Sequence, residues 1–311
     1  MHFSNALITV AYFCIFIDKK LSSIILTKLT YEIISNAMGK IIWLASYPKS
    51  GNTWVRAFLA NYISNTDKPF PINELSNFTL DDMRMAFYEK AANKPVSKFD
   101  TFDPIRLRPM AQRALADSFE VDLFVKTHSQ NIEIGDVPQI NAEVTAGVIY
   151  IVRNPLDVAV SYSSYYGKTI DTSIEELNDT SNTLRPRGLF CRIGKWSDHV
   201  SSWLENNNLP TICIKYEDLS NNPDKHFGRI ISELGFELDS ERLRRAIRFS
   251  SFNELSKQEK QLGFVEKPPT ADENFFRNGV TNNWECHLNS SQRKRLEQTQ
   301  GEMMQKLGYF G

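Results

Sequence analysis

Four short apolar runs, each breaking off at a polar cluster, set the rhythm of this chain. They lie at residues 41–45, 122–128, 147–152 and 210–216, and all are rich in β-branched and aromatic residues. Helical spacing of apolar positions follows the first run, at Val55, Phe58, Leu59 and Tyr62, and the third, at Val158 and Tyr162. Trp196, Val200, Trp203 and Leu204 form another such stripe, read as core, with His199 beside them as a structural or exposed residue. Further helices are predicted at 80–91, 109–116, 224–235, 239–249 and 290–307, the fifth of these basic and polar, and Arg242, Arg244, Arg245 and Arg248 read as the solvated face of the fourth. Strands ending near Ser46, His128, Arg153 and Tyr216, separated by helices, predict an α/β fold of three layers, with helices on both faces of a mainly parallel sheet.

In such a sheet the residues just past the strand ends face the ligand crevice. After the first strand, Tyr47 to Trp54 read YPKSGNTW, and a helix begins at about Thr53. Small, permissive residues at a strand-to-helix join let main-chain N–H groups point at one spot, where the helix dipole favours an anion. Lys49 adds a full charge. The phosphate loop of nucleotide hydrolases carries its lysine directly before the Ser/Thr; here Asn52 holds that place and the lysine has moved three residues back, into the loop. Past the second strand, Lys126 and His128 share one parity, so both can face one side. His128, titrating near neutrality, suits proton removal. The third strand closes on Arg153, with Ser161 eight residues later, about two helical turns on. These two are placed to converge on a second phosphate.

Length and composition narrow the picture without changing it. The 311 residues fit one large domain or two small ones, and at 41% hydrophobic they suffice for a substantial core. With 36 basic against 37 acidic residues, nothing global points to nucleic acid, and basic sites must be local. The four cysteines, Cys14, Cys191, Cys213 and Cys286, show no paired or metal-like spacing, which fits free thiols in a reducing compartment and predicts no metal. Residues 6–17 are a twelve-residue apolar run, short for a membrane span and without the flanks of a secretory signal. Met38 lies directly before the first strand. Residues 1–37 are therefore read as an extension, non-native or loosely attached, with 38–311 as the domain; a membrane anchor at 6–17 is the alternative.

YPKSGNTW resembles the loop YPKSGTTW of the sulfotransferases that use 3′-phosphoadenosine 5′-phosphosulfate (PAPS), departing only at Asn52, whose amide can still donate to phosphate oxygen. RNPLDVAVS, from Arg153 to Ser161, resembles that family's 3′-phosphate motif, and Lys126-Thr127-His128 its Lys-x-His. The resemblance spans about residue 38 to the C-terminus and implies the sulfotransferase variant of the phosphate-loop fold, a PAPS co-substrate and a small-molecule acceptor, most like bacterial enzymes acting on small molecules or natural products. It implies His128 as base and Lys49 as stabiliser of the leaving phosphate. Ser50, Gly51, Asn52, Thr53 and Trp54 then cradle phosphate, Lys126 steadies the transferring group and Ser161 moderates Lys49. Tyr216 stands where the family lays a tyrosine against adenine, although a strand-end aromatic capping the core fits it equally. Ser251 and Phe252 stand where relatives have Thr-Ser-Phe against the nucleobase. Arg277, Asn278 and Gly279 fall on the C-terminal phosphate element, commonly Arg-Lys-Gly, so Asn278 removes one charge and predicts weaker donor affinity. The family's dimer signature is not kept at Glu285, Asn289, Ser290 and Lys294, leaving the oligomeric state open. A cytoplasmic enzyme is implied. A kinase using ATP and magnesium and a non-catalytic nucleotide-binding relative are the competing readings.

Overall fold

The computed structural model describes residues 39–205, 208–268 and 273–310. Five strands, β1 (Ile41–Ser46), β2 (Leu80–Asp81), β3 (Leu123–Thr127), β4 (Thr145–Val152) and β5 (Thr211–Lys215), form one sheet in the order β2-β3-β1-β4-β5. Every pairing is parallel: Ala45 lies opposite Thr127 and Tyr150, and Val152 opposite Lys215. All strands therefore end on one edge. The predicted ends at His128, Arg153 and Tyr216 fall one residue beyond the ladder, and the predicted end at Ser46 coincides with it.

Parallel strands covered on both faces need apolar residues at every position, which explains the unbroken runs. Alternate side chains then sort to opposite layers. Ile41, Trp43 and Ala45 of β1 pack with Val148, Tyr150 and Val152 of β4 on one face, whereas Ile42 and Leu44 join Ile149, Ile151, Ile212 and Ile214 on the other. The helices that cover these faces are α1 (Asn52–Ser64), α2 (Arg108–Ala116), α3 (Pro155–Tyr166), α4 (Trp196–Leu204), α5 (Pro223–Glu233), α6 (Ser240–Phe249), α7 (Phe252–Leu262) and α8 (Ser290–Lys306). Trp196, Val200 and Trp203 of α4 and Leu296 of α8 cover the first face; Phe58 of α1 and Phe227 of α5, stacked at 3.9 Å, cover the second. Fully burying each such side chain contributes about 1.5–3 kcal/mol. The result is the expected three-layer α/β/α arrangement.

The structure corrects two of these expectations, for residues 80–91 and for Arg242, and adds further elements. Residues 80–91 are not one helix: Leu80–Asp81 is the edge strand β2, and a helix starts only at Met85. A two-residue strand has no period to read, and it forms because β3 offers a free edge. Residues 168–192, mostly polar, carry secondary structure of their own. Thr169 caps a helix at Ile170–Asn178 by accepting the Thr172 N–H, Ile174 and Leu177 turn inward, and Thr183–Leu184 then pairs with Cys191–Arg192. A single apolar stripe was hidden among polar residues. Ser250 to Phe252 open a further helix, α7, with Ser251 as its cap. Arg242 does not face solvent: it donates to the Tyr62 and Ile63 carbonyls, which the last turn of α1 leaves unpaired, and lies 4.4 Å from the Tyr62 ring. The apolar run at 6–17 lies outside the described residues, and among these no helix is long and apolar enough to cross a membrane.

Candidate active site

The loop after β1 turns on two residues in the left-handed region, Lys49 (φ 69°) and Gly51 (φ 100°). Gly51 has a second reason to lack a side chain, because a Cβ there would stand 2.6 Å from Cδ2 of Tyr216. α1 starts at Asn52; the Trp54 and Val55 N–H groups donate to the Gly51 carbonyl at 3.0 and 3.3 Å, whereas those of Gly51, Asn52 and Thr53 have no helical carbonyl to meet. They and the positive end of the helix dipole face the cleft. Ser50 Oγ is buried without a partner. The side chain of Asn52 turns inward instead, donating to the Leu44 carbonyl at 2.9 Å and to Ser46 Oγ at 3.3 Å. Asn52 thus offers the cleft only its backbone N–H.

Lys49 Nζ lies 3.8 Å from the ring centroid of Tyr165 and 4.1 Å from that of Phe275. Burial, with Arg153 and Lys126 nearby, pushes its pKa down to about 7. His128 is fixed by Ser46: its Nδ1 lies 2.7 Å from the Ser46 carbonyl oxygen. A carbonyl only accepts, so Nδ1 carries the proton and Nε2 keeps its lone pair. Burial and the Lys126 charge lower the imidazole pKa to about 4, which keeps it neutral. Behind it, His199 Nε2–H donates to the His128 carbonyl at 3.1 Å while Tyr150 donates to His199 Nδ1 at 2.8 Å. His199 is therefore a buried structural residue. Lys126 Nζ faces Glu266 at 3.4 Å, and Glu266 is also held by both arms of Arg56. Burial would raise the Glu266 pKa, but Arg56 and Lys126 hold it at about 2.

Arg153 bridges two phosphate elements of the sequence. Its guanidinium donates to the carbonyls of Lys49 (3.3 Å) and Val280 (3.0 Å), lies 4.3 Å from the Tyr216 ring centroid, and keeps a buried Nε without a partner. Asp157, on the first turn of α3, takes the N–H groups of Asn282 and Trp284 at 2.9 and 3.0 Å, and Glu259 takes those of Phe275 and Phe276 at 2.6 and 2.9 Å. These carboxylates dock the segment carrying Arg277, Asn278 and Gly279 over the loop. Gly279 (φ 63°) leaves room for the Phe252 ring.

A cleft of about 340 Å³ joins these groups. Of the residues singled out in the sequence, Lys49, Gly51, Asn52, Thr53, Trp54, Lys126, His128, Arg153, Ser161, Tyr216, Phe252, Arg277, Asn278 and Gly279 line it. Ser50 lies buried beneath it, and Ser251 caps α7 rather than reaching it. Asp82 and Met83 after β2, Tyr166 at the end of α3, and Leu184, Pro186 and Cys191 beyond line the same cleft. Asp82 is paired with the buried Arg108 at 3.2 Å and accepts from Thr127 at 3.1 Å; burial pushes its pKa up while the Arg108 charge opposes the rise. Sequence reasoning missed Arg56, Glu266, Asp157 and Tyr165. Arg56 alone carried a signal, a cation inside the apolar run Val55 to Leu59. Among the described residues, no group of three or more His, Cys, Asp or Glu could hold a metal ion.

A family profile described as the sulfotransferase domain matches residues 40–308. Sulfotransferase 1A1 of the dog (Canis lupus familiaris) is 24% identical over 273 residues, covering 85% of this chain and 83% of that protein. Sulfotransferase 1B1 of the mouse (Mus musculus) is 26% identical over 283 residues, 86% and 83% of the two chains. Among solved structures, retinol dehydratase with androsterone and the inactive cofactor PAP superposes with a TM-score of 0.59 at 18% identity, covering 85% of this chain and 80% of that one. Mouse sulfotransferase 7A1 with PAP gives 0.55 at 20%, covering 85% and 84%.

Proposed function

The chain belongs to the sulfotransferase domain family, and from that premise we propose that it moves a sulfuryl group from PAPS to a hydroxyl or amine of a small-molecule acceptor. One observation carries the reading: a neutral imidazole with its free Nε2 shares a cleft with Lys49 and the anion-directed start of α1. The donor set fits the nucleotide. Buried Ser50 Oγ and Arg153 Nε lack partners, and Gly51, Asn52 and Thr53, at the N-terminal end of α1, line the cleft. The 5′ side would be held by Lys49, Ser50, Gly51, Asn52, Thr53 and Trp54, and the 3′-phosphate by Arg153, Ser161, Arg277 and the Asn278–Gly279 backbone. Tyr216 and Phe252 supply aromatic faces for the base, with Ser251 behind them.

PAPS would supply the sulfuryl group, leaving charge on its departing phosphate oxygen. Lys49 opposes that charge, and fixed N–H groups around it need no reorganisation. Lys126 steadies the transferring group, and His128 Nε2 takes the acceptor proton as the acceptor attacks. Ser161, one turn before Tyr165 on α3, moderates Lys49. The lining residues assigned here to the acceptor, Met83, Tyr166, Leu184, Pro186 and Cys191 with Asp82, are mostly apolar, and solved neighbours hold androsterone or retinol; a small, largely apolar acceptor belongs to this reading. Residues 38–311 are assigned as the catalytic domain, 1–37 as an extension of it. Free thiols at Cys191, Cys213 and Cys286 suit a cytoplasmic location.

The test is direct: purified protein, PAPS and a panel of alcohols, phenols and amines, with mass spectrometry reading sulfated product. Transfer that disappears in Lys49→Ala and His128→Ala supports the assignment. Nucleotide binding without transfer to any acceptor, equal in wild type and both variants, would favour the non-catalytic reading.

A further inference from the structure

The cleft wall holds an anion that the chemistry above leaves unexplained. Glu266 follows α7, and both arms of Arg56 donate to its carboxylate, at 2.9 and 2.8 Å. Arg56 lies on α1 with its side chain 1% exposed, and its Nε donates to Thr79 Oγ1 at 2.7 Å. A buried fork with a third anchor fixes the carboxylate in position and angle. The other side of Glu266 Oε2 faces Lys126 Nζ at 3.4 Å, and its backbone carbonyl accepts the Tyr165 hydroxyl at 3.1 Å. Tyr165 in turn carries Lys49 Nζ against its ring. One residue therefore meets the supports of both cleft lysines.

A carboxylate beside the seat of an anionic donor repels it, so its presence asks for a compensating use. Resting on the roles given above to Lys49 and Lys126, we propose that Glu266, clamped by Arg56, is a positioning residue that holds Lys126 toward the sulfuryl end of the donor and supplies counter-charge to the cations around Lys49. Four charged groups bear on Lys49. Arg153 and Lys126 add to burial in lowering its pKa, whereas Glu266 and Glu259 raise it. Glu259 is already engaged by the Phe275 and Phe276 N–H groups. Removing the Glu266 charge must then move the Lys49 titration down in pH, and removing the Lys126 charge must move it up.

The experiment needs no acceptor. Affinities for PAPS and for 3′-phosphoadenosine 5′-phosphate are measured by calorimetry from about pH 5.5 to about pH 9 on the full chain and on Glu266→Gln, Glu266→Asp and Lys126→Met. Protonated Lys49 attracts the anion, so affinity falls as pH rises through its titration, and the ligand's own ionisation is common to all proteins. Glu266→Gln should lower the midpoint by roughly half a pH unit or more, Glu266→Asp should restore it, and Lys126→Met should raise it. A merely structural Glu266 would lower the unfolding temperature of Glu266→Gln and leave the midpoint in place, and that outcome overturns the proposal. Lys126 has a partly exposed side chain, 20%, so Lys126→Met decides by itself if Glu266→Gln is too unstable to titrate: an unmoved midpoint there is equally fatal. Wild-type protein that binds neither nucleotide would instead remove the donor assignment, and this inference with it; binding with unmoved midpoints removes this inference alone.

Discussion

The imidazole of His128 is tied to Ser46 twice, Nδ1 lying 2.7 Å from its carbonyl oxygen and 3.3 Å from its hydroxyl. Ser46 ends β1 and His128 follows β3, the neighbouring parallel strand. The proposed base is thus positioned by the sheet rather than by a mobile loop, and its tautomer is set by an acceptor that has no proton to give.

Replacing His128 by Ala should cut sulfate transfer by about 10²–10⁴-fold while the donor still binds. Because burial holds this imidazole pKa at about 4, the base form is complete above about pH 5, and turnover should show no acid limb from this group between about pH 5 and 6.5. A pH–rate profile with a midpoint near that of a free histidine would place His128 elsewhere in the mechanism.

The same burial makes stability sensitive to acid. His128 and His199 have folded pKa values of about 4 and about 3, below the ordinary 6.5. Their contribution is present above pH 6.5 and lost as pH falls toward those values. Each should cost about 2 kcal/mol between pH 7.5 and pH 5, the unfolded chain binding the extra protons. His199→Gln can keep both hydrogen bonds, accepting from Tyr150 and donating to the His128 carbonyl, without titrating. Urea unfolding at the two pH values should show about half of this histidine-linked loss removed in that variant.

Much of the site was legible because its chemistry constrains short stretches. A loop built for an anion needs small residues, a left-handed glycine and a helix start, and all of these lie within Tyr47 to Trp54. Runs of unbroken apolar residues marked the strands whose ends carry Lys126, His128 and Arg153. What stayed hidden depends on partners distant in sequence. Glu266 acquires its meaning only from Arg56, 210 residues earlier, and from Lys126. Leu80–Asp81 is a strand only because β3 has an edge to offer. Asn52 was expected to donate its amide to phosphate, yet the nearest acceptors in the fold are the Leu44 carbonyl and Ser46 Oγ.

That inward turn of Asn52 has a measurable consequence. Asn52→Leu keeps the backbone N–H and removes the buried amide donors, so it should destabilise the fold by about 1–3 kcal/mol. Affinity for 3′-phosphoadenosine 5′-phosphate should change by less than about threefold, since less than 1 kcal/mol of binding is at stake. Calorimetry beside thermal unfolding checks both. A large loss of affinity at unchanged stability would mean that the amide serves the ligand after all.

Asn278 lines the cleft on an exposed segment, at the place where the family commonly carries lysine. Asn278→Lys should tighten binding of the bisphosphate by roughly 2–5-fold, the range of an exposed charge pair. The gain should fade in about 1 M salt, where such pairs are screened. An unchanged affinity at low salt would show that Arg153 and Arg277 already saturate the 3′-phosphate.

The central claim is that this cleft takes a 3′-phosphorylated adenosine donor. Calorimetric titration with 3′-phosphoadenosine 5′-phosphate in the presence of a chelator, run beside ATP with magnesium, tests it most directly. Tight, metal-independent binding of the bisphosphate, weakened by roughly tenfold or more in Arg153→Ala, is the expected result. Magnesium-dependent binding of ATP, with the bisphosphate bound no better and Arg153→Ala without effect, would contradict it.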